Sequence, residues 1–137
     1  MLPCRLPGLA IGVVLAALAP GCGPGTAELR AVATRGNEIV SALRVFHGAH
    51  GRYPAALAEL VPAHLGEIAV TGLSGAPEFI YRPGWNDITP TAGSYELRVD
   101  IGDLGFDRFI YWPSETYPAL IQGNGVERIG TWARVWE

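Results

Sequence analysis

Ile39-Val40-Ser41-Ala42-Leu43-Arg44-Val45-Phe46-His47-Gly48-Ala49-His50-Gly51-Arg52-Tyr53-Pro54 is the stretch whose reading decides the fold. Its apolar residues recur every three or four positions, the spacing of one helix face. The pattern runs back through Gly36, Ala33, Val32 and Leu29, so it predicts a helix over Ala27–His50. Glu28, Arg30, Arg35, Glu38 and Arg44 fall mostly between the apolar positions. Thr26 is the expected N-cap, and Glu28 suits the positive end of the helix dipole. Gly51 is the expected stop, because glycine accepts the left-handed conformation that ends helices. Such a helix is about 36 Å long at 1.5 Å per residue.

Downstream, Pro54 reads as the first position of a short helix with Leu57, Leu60 and Val61 on one face, closed by Pro62. Beyond it the punctuation becomes Gly and Pro, and the runs become β-rich: Glu78–Arg82, Ser94–Ile101, Phe106–Trp112, Tyr117–Gln122 and Val126–Val135. Tyr95, Leu97, Val99 and Ile101 alternate with Glu96, Arg98 and Asp100, as in a strand with one face in the core and one in water. Gly123-Asn124-Gly125 is the best hairpin-turn signal. A long helix followed by a meander of strands is α+β: a helical spine packed on a small antiparallel sheet.

The 137 residues suffice for one domain. The formal charge is −3, and all ten basic residues are arginine. A mildly acidic chain with scattered arginines lacks the basic stripe of a nucleic-acid binder. Upstream of the spine, Leu6–Leu18 is almost wholly apolar behind a single charge, Arg5. It falls short of the ~20 residues that span a bilayer, and Pro20-Gly21 ends it. Residues 1–21 therefore read as a signal peptide, 22–26 as a tether and 27–137 as the domain. Leaving with the leader, Arg5 takes the net charge to −4, nine basic against thirteen acidic residues.

Leu18-Ala19-Pro20-Gly21-Cys22 resembles a bacterial lipobox. The resemblance implies that Cys22 becomes the lipidated first residue of the mature chain, anchoring it to a membrane at the cell envelope, facing the periplasm or exterior. Ala19 and Pro20 depart from the commoner form, and cleavage after Ala17-Leu18-Ala19 is the alternative. Gly23 is not Asp, so the inner-membrane retention signal of such lipoproteins is not suggested. Two or three acyl chains hold stably, at about 0.8 kcal/mol for each buried methylene.

The opening stretch, followed by Leu57-Ala58-Glu59-Leu60-Val61-Pro62, resembles the pseudopilins of type II secretion, chiefly the major one. Gly75-Ala76-Pro77-Glu78-Phe79-Ile80-Tyr81-Arg82-Pro83-Gly84 is similar to their next block, and Ser94-Tyr95-Glu96-Leu97 to the strand after it. The similarity covers roughly residues 30–101. It implies a pilin-like fold and a binding or structural role among envelope or secretion-system proteins. The chain departs from the family in lacking the prepilin peptidase site and the continuous apolar stem that builds a filament. A lipid-tethered pilin-like domain is therefore the first expectation, with a divergent filament subunit and a small secreted enzyme as alternatives.

Asp100, Asp103 and Asp107 lie in a Gly-rich stretch that could supply hard oxygens to Ca²⁺. Major pseudopilins bind calcium after the corresponding strand, although this loop does not match theirs residue by residue, and a polar turn is the bland alternative. His47 and His50 can share a helix face, with His64 nearby in sequence, but a transition-metal site wants more ligands. His47 is expected to pack near the helix end and His50 to be solvated. Ser74, in Gly72-Leu73-Ser74-Gly75, misses the nucleophile elbow, and no catalytic residues are expected. The late aromatics are expected mostly in the core, with Trp112, Trp85 and Tyr53 as candidates for an exposed partner surface. The sheet's outer face and the loop after Arg82 are the expected docking regions.

Overall fold

The computed structural model describes residues 23–86, 89–102, 106–117 and 125–136. Helix α1 spans Thr26–His50 and is followed by one 3-10 turn, Leu57–Leu60. The strands are β1 (Ile80–Asn86), β2 (Thr89–Asp100), β3 (Arg108–Tyr111), β4 (Gly125–Ile129) and β5 (Trp132–Trp136). They form one sheet in the order β1-β2-β3-β5-β4, each neighbouring pair antiparallel. The coarse expectation of an α+β domain, one N-terminal helix with an antiparallel sheet, holds.

The helix forms where its periodicity predicts. Leu29, Val32, Ile39, Leu43 and Phe46 bury one stripe, while Arg30, Thr34, Glu38 and Arg44 stay in water. The N-cap is Gly25 rather than Thr26. The Glu28 carboxylate accepts a hydrogen bond from the Gly25 amide at 2.8 Å, and it sits where the helix dipole is positive. Gly51 ends the helix at φ 69°, its amide bonded to the His47 carbonyl.

The inner face of the sheet packs on this stripe. Tyr95, Leu97 and Val99 of β2, Phe109 and Tyr111 of β3 and Trp132 of β5 are buried there. Each fully buried aliphatic or aromatic side chain contributes about 1.5–3 kcal/mol. Trp132 is central: its ring stacks on Phe109 at 5.1 Å, and its indole Nε1 donates to Asn37 Oδ1 at 2.8 Å. Gly36 makes the space, since a Cβ there would overlap the Trp132 ring.

The segment between helix and sheet returns to this core. Leu60 is fully buried, the Tyr81 hydroxyl donates to the Pro54 carbonyl at 2.8 Å, and the Tyr53 and Tyr95 rings meet edge-on at 4.7 Å. Burial pushes the Tyr81 and Tyr95 phenols well above their ordinary range.

Several sequence expectations are corrected. The short helix from Pro54 is only the 3-10 turn Leu57–Leu60, with Glu59 accepting from the Ala55 and Ala56 amides. Those two amides hold the Glu59 carboxyl below its ordinary range, Ala56 contributing most. Val61, expected on the buried face, is exposed. Strand β1 begins at Ile80 and continues past Arg82 through a bulge between Pro83 and Trp85, where Gly84 has φ 79°. An edge strand tolerates Pro83, because only one side needs ladder hydrogen bonds. Val126–Val135 is not one strand but the β4–β5 hairpin, which turns at Gly130 (φ 65°) and Thr131. Tyr117 lies outside the strands; residues 118–122 of that expected strand, and Gly123 and Asn124 of the expected turn, lie outside the described residues.

Candidate functional site

Among the described residues, the outer face of the sheet carries a connected polar cluster. Register places Arg82 opposite Glu96, Arg98 opposite Ile110 and Asp100 opposite Arg108, all on the face away from α1. Glu96, expected in water, is completely buried. Its Oε2 accepts the Trp112 indole N–H at 2.8 Å, and its Oε1 lies 3.2 Å from Arg82 Nη1 and 3.7 Å from Arg98 Nη1. A carboxylate removed from water needs this many donors, because an unpaired buried charge costs several kcal/mol. Arg98 Nε in turn faces Asp100 Oδ1 at 3.2 Å, without hydrogen-bond alignment.

Trp112 is buried as well, correcting its expected exposure. With Ile110, Ala133 and Val135 it forms a second apolar cluster, against which Tyr117 and Val126 pack. The part of the sheet's outer face at Glu96, Ile110, Trp112, Ala133 and Val135 is thus covered rather than open to solvent. Residues 113–117 turn back beside it. The Tyr117 hydroxyl donates to the Thr131 carbonyl and accepts from the Trp112 amide at 3.2 Å. Burial pushes the Tyr117 phenol up to about 12. Of the expected exposed aromatics, Trp85 is open to solvent, with the Arg82 guanidinium 5.1 Å from its ring centre, and Tyr53 is half-buried.

Asp100 and Asp107 meet in an open cleft of about 720 Å³ at the N-terminal pole, lined also by Gly23, Glu28 and Ser74. Asp107 pairs with Arg134 at 3.5 Å, as Asp100 does with Arg98. A cation shared by the two carboxylates would compete with both arginines. Asp103, the third expected calcium ligand, lies outside the described residues, as does Cys22. Ser74 lines the cleft without a histidine beside it. At the other pole, His50 and His64 flank the Phe46 ring, centroids 4.2 and 5.6 Å away, and are 6.5 Å from each other. His47 packs instead on Tyr53 at 4.4 Å. Among the described residues, no three His, Cys, Asp or Glu side chains stand together in a way that could hold a metal ion.

Sequence reasoning missed the Glu96–Trp112 pair. Alternation assigned Glu96 a face but not its cover, and Trp112 reaches it only through the pairing of β2 with β3. Among the described residues no helix is long and apolar enough to cross a membrane. Compared with models of known families, with curated proteins and with solved structures, the chain finds no match.

Proposed function

We propose that the chain is an exported, lipid-anchored, pilin-like domain that binds or braces other proteins of the bacterial envelope, in connection with type II secretion. One observation carries this reading: the sequence blocks that resemble pseudopilins, far apart along the chain, pack onto one another. The Tyr53-Pro54 corner meets Tyr81 of the second block and Tyr95 of the third, and Leu60 lies in the same core. Such packing is what the resemblance implies for these blocks.

The anchor rests on the lipobox-like run ending at Cys22. Residue 23 lies at the pole where β2 ends, within reach of Arg134 and the Ile101 carbonyl. A lipid on the preceding residue would set this pole toward the membrane and the Tyr53-Pro54 corner away from it. The proposed role is binding or bracing rather than catalysis.

Intact mass of the membrane-fraction protein, beside a Cys22→Ala variant, tests the reading. The expected product starts at Cys22 and carries diacylglycerol and acyl mass, which the variant loses. An unlipidated soluble product would remove the anchor and favour a secreted protein. An uncleaved leader would likewise overturn the lipobox reading.

A further inference from the structure

We infer that residues 113–117 form a latch that opens as a unit, with Trp112 as its hinge, while the helix–sheet core stays folded. This inference does not depend on how the chain is anchored. The outer apolar cluster of Ile110, Trp112, Ala133 and Val135 is separate from the main core, with the sheet between them. Its cover includes Tyr117, which packs on the Trp112 ring at 5.3 Å. Releasing Tyr117 therefore leaves the inner-face packing of Trp132, Phe109 and α1 intact.

The latch is held by side chains rather than by a ladder. Tyr117 supplies one of its hydrogen bonds to the β4–β5 turn, at the Thr131 carbonyl, and accepts a second from its own hinge at the Trp112 amide. Arg128 supplies a third, its Nη1 donating to the Glu115 carbonyl at 2.7 Å, and its guanidinium lies 5.2 Å from the Tyr117 ring centre. The Tyr111 hydroxyl donates to Glu115 Oε1 at 3.2 Å. The backbone bond within the turn, Glu115 amide to Trp112 carbonyl, ties the segment only to its own hinge. Glu115 holds φ 52°, a left-handed conformation that is disfavoured for a residue with a Cβ and is relieved when the turn opens.

The hinge itself is fixed. Trp112 is bonded to the fully buried Glu96, so the indole stays on the sheet when Tyr117 leaves. Opening thus lifts Tyr117 off the Trp112 ring, and that contact is set by a local equilibrium rather than by unfolding. Elements with few buried contacts and solvent-facing hydrogen bonds open below the global free energy.

Native-state hydrogen exchange tests this. The Trp112 and Glu115 amides are expected to exchange with little dependence on denaturant, and faster than those of Leu43, Leu97 and Ala133. Tyr117→Phe removes the hydroxyl's two hydrogen bonds and should speed the Trp112 and Glu115 amides on the order of tenfold or more, leaving Leu43 within about twofold. Arg128→Gln should move the same two amides and spare Leu43. Trp112 and Glu115 amides as protected as Leu97, or a Tyr117→Phe effect spread equally over α1, would overturn the latch.

Discussion

The two faces of the sheet solve the burial problem in different ways. The inner face is closed by a 25-residue helix and aromatic rings that interlock with it. The outer face is closed in part by a short turn, one tyrosine and an ion cluster around Glu96. A face covered by a long element shares its fate with the whole fold. A face covered by a few side chains can be modified without losing the fold.

Alkaline titration separates the two faces most strongly. Tyr81, Tyr95 and Tyr117 all have phenols raised by burial, so each contributes stability that is complete below the ordinary phenol value of 10 and is lost as pH climbs through the folded value. Tyr117 reaches only about 12, below Tyr81 and Tyr95. Phenolate absorbance followed beside circular dichroism should therefore show Tyr117 ionising before Tyr81 and Tyr95, with cooperative unfolding only as those two follow. One simultaneous transition would erase the distinction.

Next in size is Gly36→Ala. The added methyl meets the Trp132 ring, and overpacking of this kind costs about 1–3 kcal/mol, outweighing the better helix propensity of alanine. Urea denaturation should show a lower midpoint with an unchanged slope. Trp112→Phe acts on the other face. It takes one donor from buried Glu96 and should cost about 1–2 kcal/mol, while near-ultraviolet signals from Trp132 persist. The smallest effect is expected for Glu28→Gln, which weakens the contact to the Gly25 amide and the dipole interaction by about 0.3–1 kcal/mol. Thermal melting measures it.

Legibility in the sequence followed the range of the interaction. Helix α1 could be read because its pattern is local and repeats over many turns, and its stop was written in Gly51. Strand β2 could be read from the alternation of Tyr95, Leu97 and Val99. The β4–β5 hairpin was missed, although Gly130-Thr131 between Ile129 and Trp132 is a two-residue turn. Gly123-Asn124-Gly125, the stronger turn signal just upstream, drew the reading away from it. The outer-face cluster was not legible, because Arg82 and Glu96 come from two strands and Trp112 lies just past a third, and they meet only through register. Tyr117 gave no signal, since its partners Thr131 and Arg128 lie beyond the segment it closes.

The seat of Trp132 against Gly36 also has a mechanical meaning. No hydrogen-bond ladder joins a helix to a sheet face, so axial sliding is resisted by side-chain interlock alone. One large ring sits where a residue has no side chain, and its N–H is bonded to the next residue, Asn37. The pair works as a detent: a pull along the helix axis must lift that ring out of its notch.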